Sequence, residues 1–238
     1  YFRGIEQFRN RQYAEAVSMF DRSLTYREKN PDLYARALYW RGESNYRLGN
    51  NSAAVSDWEN FRKLPAAASM DEYELTDYNL GYVWYNSGEY AKALPHFMAY
   101  INRADQRESP DMVIDARNRI ADCYYIRADY PSAILHYDKV IDYGRVDADY
   151  AMFQKGFAQG LNNNNAGKIT TLTGLITKYP KSTYVPNALF ERGRAYVATD
   201  QPARGEADFT NIIAWYTGSQ FVPPAMVQLG LIYYNAGE

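Results

Sequence analysis

The sequence predicts an all-α chain, a right-handed superhelical array (α-solenoid) of antiparallel helical hairpins, and three observations carry that prediction. A small residue recurs at Gly4, Gly42, Gly81, Ala121, Gly156, Gly193 and Gly230, at intervals of 35 to 40 residues. Around these positions the bulky residues keep helical spacing. Near the third, Leu80, Trp84 and Ser87 share one face of a helix over 77–87, and Ala93, Leu94, Phe97 and Ile101 share one face of a second over 90–101. Between the two, Asn86-Ser87-Gly88 breaks the pattern with a residue suited to ending a helix in the left-handed conformation. Helices joined by so few residues lie antiparallel. Gly81 and Ala93 let their backbones approach, and one hairpin cannot bury both of its faces, so the unit repeats.

The hairpins follow in order over approximately 1–30, 32–65, 71–104, 110–144, 147–180 and 184–217, with a half unit at 221–238. In the first, Tyr13, Ala16, Phe20 and Leu24 mark a second helix over 13–28, and Asn30-Pro31-Asp32 caps the helix that follows. The second carries Gly42, Gly49, Ala54, Trp58 and Phe61 in the expected places. Asn45 stands where an aromatic is usual, which reads as a partly solvated edge. In the third, Pro95 falls inside the second helix and predicts a slight bend. Ser109 and Pro110 read as N-cap and first residue of the fourth unit, which continues through Ala121, Tyr124, Ala128, Tyr130, Ala133 and Tyr137. The fifth departs most: four asparagines at 162–165 predict a long turn, and Lys168 stands at the place of the usual Ala, ahead of a weaker helix over 168–178. In the sixth, Pro202 opens the second helix and Gly205 replaces Ala. Tyr1 already lies inside a unit and Gly237-Glu238 at a hairpin turn, so the chain is expected to be a segment of a longer one.

Composition removes several function classes. The net charge is −2 from 26 basic and 28 acidic residues, with no basic block, which argues against nucleic acid as a partner. Residues 105–149 hold ten acidic and six basic side chains, read as a solvated face. No apolar run reaches the roughly 18 residues of a membrane span. Cys123 is the single cysteine, so no intrachain disulfide forms, and it is expected to be a buried thiol. His96 and His136 occupy equivalent places in successive units, about 10 Å apart by helix diameter, too far for one metal ion. No HExxH, CxxC, GxSxG or GxxxxGK[ST] motif occurs. The expectation is a chain without catalytic residues, metal or cofactor.

This grammar is that of the tetratricopeptide (TPR) helical hairpin, and the resemblance covers essentially the whole chain; intervals here exceed the usual period of about 34. A second signal lies in the later half. Tyr179-Pro180-x-Ser182, followed by Tyr184, Pro186 and Ala188, resembles the junctions of Gram-negative cell-envelope TPR proteins of the outer-membrane assembly and Tol–Pal-associated types; Trp215-Tyr216 with Ser219, Pro223 and Ala225 is a looser copy. That resemblance implies a periplasmic or outer-membrane location, with the cytoplasm as the alternative, and a protein that acts by binding other proteins.

In such arrays the first helices line the concave side, at places three before, one after and four after each small residue. These are Tyr39, Glu43 and Tyr46; Tyr78, Tyr82 and Tyr85; Asn118, Asp122 and Tyr125; Phe153, Phe157 and Gly160; and Phe190, Arg194 and Val197. TPR proteins that grip chaperone C-termini use Lys and Asn here as a carboxylate clamp, whereas this chain has Tyr39 and Glu43. Tyrosine, with 24 copies, offers large contact area with a polar tip. Either the rings line a groove for a protein or peptide ligand, or they pack between neighbouring first helices. Tyr82 and Tyr85 are the preferred groove pair. Self-association of arrays, and regulation of a catalytic domain elsewhere in a longer chain, are the competing functions.

Overall fold

The computed structural model describes residues 1–104 and 110–237. They form thirteen α-helices with no strand among the described residues, and divide into two compact units, Tyr1–Ala116 and Arg117–Glu238. The first contains α1 (Phe2–Arg9), α2 (Tyr13–Leu24), α3 (Pro31–Arg47), α4 (Asn51–Arg62), a short 3-10 turn (Pro65–Ser69), α5 (Glu72–Asn86), α6 (Tyr90–Ala104) and the start of α7 (Pro110–Ile126). The second contains the rest of α7, then α8 (Tyr130–Tyr143), α9 (Ala148–Leu161), α10 (Asn165–Lys178), α11 (Val185–Ala198), α12 (Pro202–Trp215) and α13 (Val222–Ala236).

The recurring small residue works through a knob that the periodicity pairs with it, sixteen positions on. A Cβ on Gly4 would sit 2.6 Å from the Phe20 ring, on Gly42 2.7 Å from the Trp58 indole, on Gly81 2.7 Å from Phe97, and on Gly193 2.8 Å from Phe209. Gly156 takes Leu172 in the same way at 2.7 Å. All five knobs are fully buried, so each hairpin is held where a large side chain lies flat on the backbone of its partner helix. Two hairpins add a bidentate fork one residue away. Arg41 donates to both oxygens of Asp57 at 2.9 and 2.5 Å, and Arg192 to both of Asp208 at 2.9 and 2.6 Å. Planar guanidinium–carboxylate pairs of this kind fix orientation as well as distance.

The turns share one geometry. The residue seven after each small position has positive φ: Arg11 (60°), Gly49 (79°), Gly88 (76°), Ala128 (59°), Asn163 (58°), Asp200 (58°) and Gly237 (82°). The next amide returns to a carbonyl five residues back, as in Asn50 N to Asn45 O and Asp129 N to Tyr124 O at 2.8 and 3.0 Å; this is the Schellman closure of the first helix. Ala128 pays roughly 1 kcal/mol for its left-handed backbone. Ala128→Gly is therefore expected to raise stability by about 0.5–1 kcal/mol, seen as a higher urea midpoint with an unchanged slope.

Several expectations need correction. The asparagine run makes no long turn: Asn163 takes the left-handed position, Asn164 caps α10 by accepting from Gly167 N at 2.8 Å, and Asn165 is already helical. The helix that follows is as long as its counterpart α12. Asn45 is buried, 7 % exposed, and its amide donates to Asp57. Trp84 is half-buried, with the Lys92 ammonium 4.6 Å from its ring centre. The second helix of the first hairpin stops at Leu24, and α5 begins five residues early, at Glu72. Asn30 caps α3 as expected, accepting from Leu33 N at 3.0 Å. Pro95 lies on the exposed side of α6. Ser109 and Glu238 lie outside the described residues. The two tyrosine–serine junctions form the same turn: Ser182 and Ser219 each bond back to the tyrosine carbonyl three residues before, and their hydroxyls accept from Tyr184 N and Phe221 N.

Candidate functional site

In the first unit the aromatic row on α3 and α5 is tied together by side chains of the intervening positions. Asn79 donates to the Tyr39 hydroxyl at 3.2 Å and to Glu43 Oε2 at 3.1 Å, and Asn86 donates to the Tyr46 hydroxyl at 3.0 Å. Arg47 holds the other Glu43 oxygen with two bonds. Tyr39 is 4 % exposed, packed edge-on against Trp40, and Glu43 is 7 % exposed. In the chain as it stands, these two residues join neighbouring first helices, and Tyr46 is half-buried beside them. Burial drives the Tyr39 phenol well above its ordinary pKa, with Glu43 adding to the rise.

The face of α5 is different. Tyr78, Tyr82 and Tyr85 are half-buried, and their rings form an edge-to-face series, with Tyr78 to Tyr82 at 5.0 Å and Tyr82 to Tyr85 at 6.4 Å. Phe97 underlies all three at 5.3–6.3 Å. The hydroxyls of Tyr78 and Tyr82 both donate to Asp115 Oδ2 on α7, the first at 2.7 Å. Burial, then Asp115, pushes the Tyr78 phenol up, so this phenol stays neutral and donates. The product is a rigid, partly open strip of ring surface ending on one carboxylate.

In the second unit, Tyr125 lies 5.9 Å from Tyr130 and 6.3 Å from Phe157, while Phe153 stacks on Tyr184 at 5.5 Å. Asn118 and Phe190 are buried. Asp122 is committed internally: it accepts from Tyr137 at 2.7 Å, Tyr150 at 2.8 Å and Arg119 at 2.7 Å. Beside Phe157 and Gly160 is a cavity of about 220 Å³ that contains the ion pair Lys168–Glu191, at 2.5 Å. The sequence signal for it was Lys168 itself, whose buried partner is 23 residues away.

The cysteine and the two histidines are each engaged within the fold. Cys123 is fully buried, and burial with Asp122 pushes its thiol up to about 12. His96 pairs with Asp77 at 3.0 Å. His136 stacks on Tyr124 at 5.7 Å, and burial, with Arg117 nearby, lowers its pKa to about 4. Since the folded value lies below the ordinary 6.5, the unfolded chain takes up the proton first. The contribution of His136 is complete above about pH 6.5 and falls away toward pH 4. About 1–2 kcal/mol of stability is expected to be lost in that window, and a His136→Phe variant, melted at pH 7 and pH 5, should lose that part of the pH dependence. Among the described residues no group of three or more His, Cys, Asp or Glu side chains could hold a metal, and no helix is long and apolar enough to cross a membrane.

Stacked hairpins with a buried knob per unit define the α-solenoid class. Within that class, the chain matches family models of the tetratricopeptide repeat over residues 3–68 and 150–182. Among solved structures it is similar to the C-terminal part of a TPR repeat-containing protein from Cytophaga hutchinsonii, at 19% identity and TM-score 0.75, covering 100% of this chain and 89% of that one. It is also similar to YrrB, a TPR protein with an unusual peptide-binding site (13%, TM-score 0.64, 82% and 90%), and to PilW, a type IV pilus biogenesis factor (12%, TM-score 0.60, 97% and 94%). At these identities the likeness is one of fold. A search of curated proteins returned no match.

Proposed function

We propose that this chain is a non-catalytic scaffold that holds a segment of a partner protein against the first-helix face of α5, in a bacterial cell envelope. The observation that carries the reading is the strip Tyr78–Tyr82–Tyr85 closed by Asp115: large aromatic area already fixed by Phe97 beneath it, with little left to order when a partner arrives. Tyrosine supplies such contact with few rotatable bonds, and a fixed carboxylate sets polarity and register. The solved relative with a peptide-binding site and the relative in pilus biogenesis support a binding role by analogy of fold. The two tyrosine–serine junctions support the envelope setting.

The test is crosslinking of the tagged full-length protein in its native cells, beside a Tyr82→Ala/Tyr85→Ala variant and an Asp115→Asn variant that keeps the rings. A discrete envelope partner captured at least tenfold less by the double variant, with helical content retained, is expected. Equal capture by both proteins places binding elsewhere and overturns the reading, as does a partner confined to the cytoplasm for its envelope part.

A further inference from the structure

Two departures from the repeat pattern meet a buried acid at one point of the second unit. Four residues after the small position, the second, third and fourth hairpins carry Tyr46, Tyr85 and Tyr125; the fifth carries Gly160. Twelve residues after it, the first four carry Ala16, Ala54, Ala93 and Ala133; the fifth carries Lys168. Two before the next small position stands Glu191. In space, the Lys168 stem fills what the missing ring vacates, its Cδ 2.9 Å from where a Cβ on Gly160 would be. Its ammonium reaches Glu191 Oε2 on α11 and lies 5.5 Å from the Phe157 ring centre. The cavity of about 220 Å³ opens beside them, between α9, α10 and α11.

The charges are unbalanced. Lys168 and Glu191 are 8 % and 6 % exposed. Arg194, exposed at the mouth, reaches Glu191 Oε1 through one contact of 3.3 Å. Two cations thus face one acid. Lys168 has three N–H donors, and Glu191 is its only hydrogen-bond acceptor among the described residues. Its remaining N–H donors lie beside the cavity, where a second acceptor would sit. The excess is a single positive charge, and Glu191 opposes a second negative charge on a ligand, which favours a monoanion over a phosphate dianion. The wall offered by Phe157 and Ala195 is apolar. The volume is below the roughly 300 Å³ of ordinary small-molecule pockets and suits one amino-acid residue.

We infer that this cavity is a binding subsite for a single carboxylate on a small apolar body, supplied by a peptide as its C-terminal residue or as an acidic side chain. Choosing a peptide as the source rests on the scaffold reading. The chemistry of the site does not, and its test needs no partner.

The whole chain is titrated with N-acetyl-leucine, N-acetyl-leucinamide and the α-amide of N-acetyl-glutamate, following the backbone amide signals of Gly160 and Ala195 by NMR. The expected result is saturable binding of at least one acid, with Kd on the order of 1–10 mM, and at least tenfold weaker binding of N-acetyl-leucinamide. The tighter of the two acids names the source, terminus or side chain. Arg194→Gln, an exposed change that leaves the buried pair intact, should weaken binding threefold or more, and Lys168→Ala/Glu191→Gln should abolish it. No saturable shift with either acid at 50 mM, equal binding of the amide, or an Arg194→Gln variant that binds as well as the parent overturns the assignment. Failure of the α5 crosslinking experiment leaves this titration unaffected, so the two proposals fail separately.

Discussion

Trp58→Ala is expected to destabilise the first unit by about 4 kcal/mol, lowering the urea midpoint sharply without changing the slope. Trp58 is fully buried, its indole N–H donates to the Tyr39 carbonyl at 3.1 Å, and it packs 5.9 Å from the Tyr46 ring. Truncation removes the apolar transfer energy and leaves a cavity between α3 and α4 that two rigid helices cannot close, and buried Phe/Trp→Ala changes cost roughly 3–5 kcal/mol. The register argument makes a sharper demand. Gly42→Ala on its own places a methyl against the indole and should cost about 1–3 kcal/mol by overpacking. With Trp58 already truncated, the same methyl enters empty space and should cost nearly nothing. The two changes are therefore expected to be non-additive by at least about 1 kcal/mol. Additive costs would show that Gly42 is small for some reason other than the knob it receives.

That coupling was legible in the sequence because it is periodic. Gly42 and Trp58 belong to a pairing that recurs from Gly4–Phe20 to Gly193–Phe209, and a fold built of repeats exposes its packing rule as a constant offset. The turn position was half legible. Gly49 and Gly88 announce it, whereas Arg11, Ala128 and Asp200 hold the same left-handed backbone with nothing in their side chains to say so. Contacts between hairpins were not legible, because their offsets depend on variable links. Nothing in the residue types joins Asn79 to Tyr39 and Glu43, or brings Tyr78 and Tyr82 to Asp115, more than thirty residues on. The cavity at Lys168 was hidden for a related reason: Lys168 alone read as a local defect and Gly160 as a groove position, and only with Glu191, 23 residues on, do they replace a ring with a charge.

Asp77→Ala carries the second large effect, an expected loss of about 3 kcal/mol. Leu38, Met152 and Leu189 occupy the corresponding place, four before the small residue, in other hairpins. Here a carboxylate stands there, fully buried, and gathers three cationic or imidazole partners. Oδ1 accepts from Arg62 at 2.6 Å and faces His96 Nδ1 at 3.0 Å, while Oδ2 accepts from Arg103 at 2.9 Å. One acid thereby joins α4, α5 and α6. Removing a buried partner from an ion pair costs roughly 3–5 kcal/mol, and the low end applies because the side chains of the three partners keep 25–39 % of their exposure and recover part of their solvation. Arg62→Ala leaves the acid with Arg103 and His96 and should cost no more than about 1 kcal/mol. If Arg62→Ala costs as much as Asp77→Ala, a single pair holds α4 to α5 and the shared joint is refuted. Asp77 also precedes Tyr78 on α5. Its loss should free that helix to rotate, and the hydrogen bonds from Tyr78 and Tyr82 to Asp115 should weaken with it, so amide exchange in α5 is expected to rise most strongly along the tyrosine face.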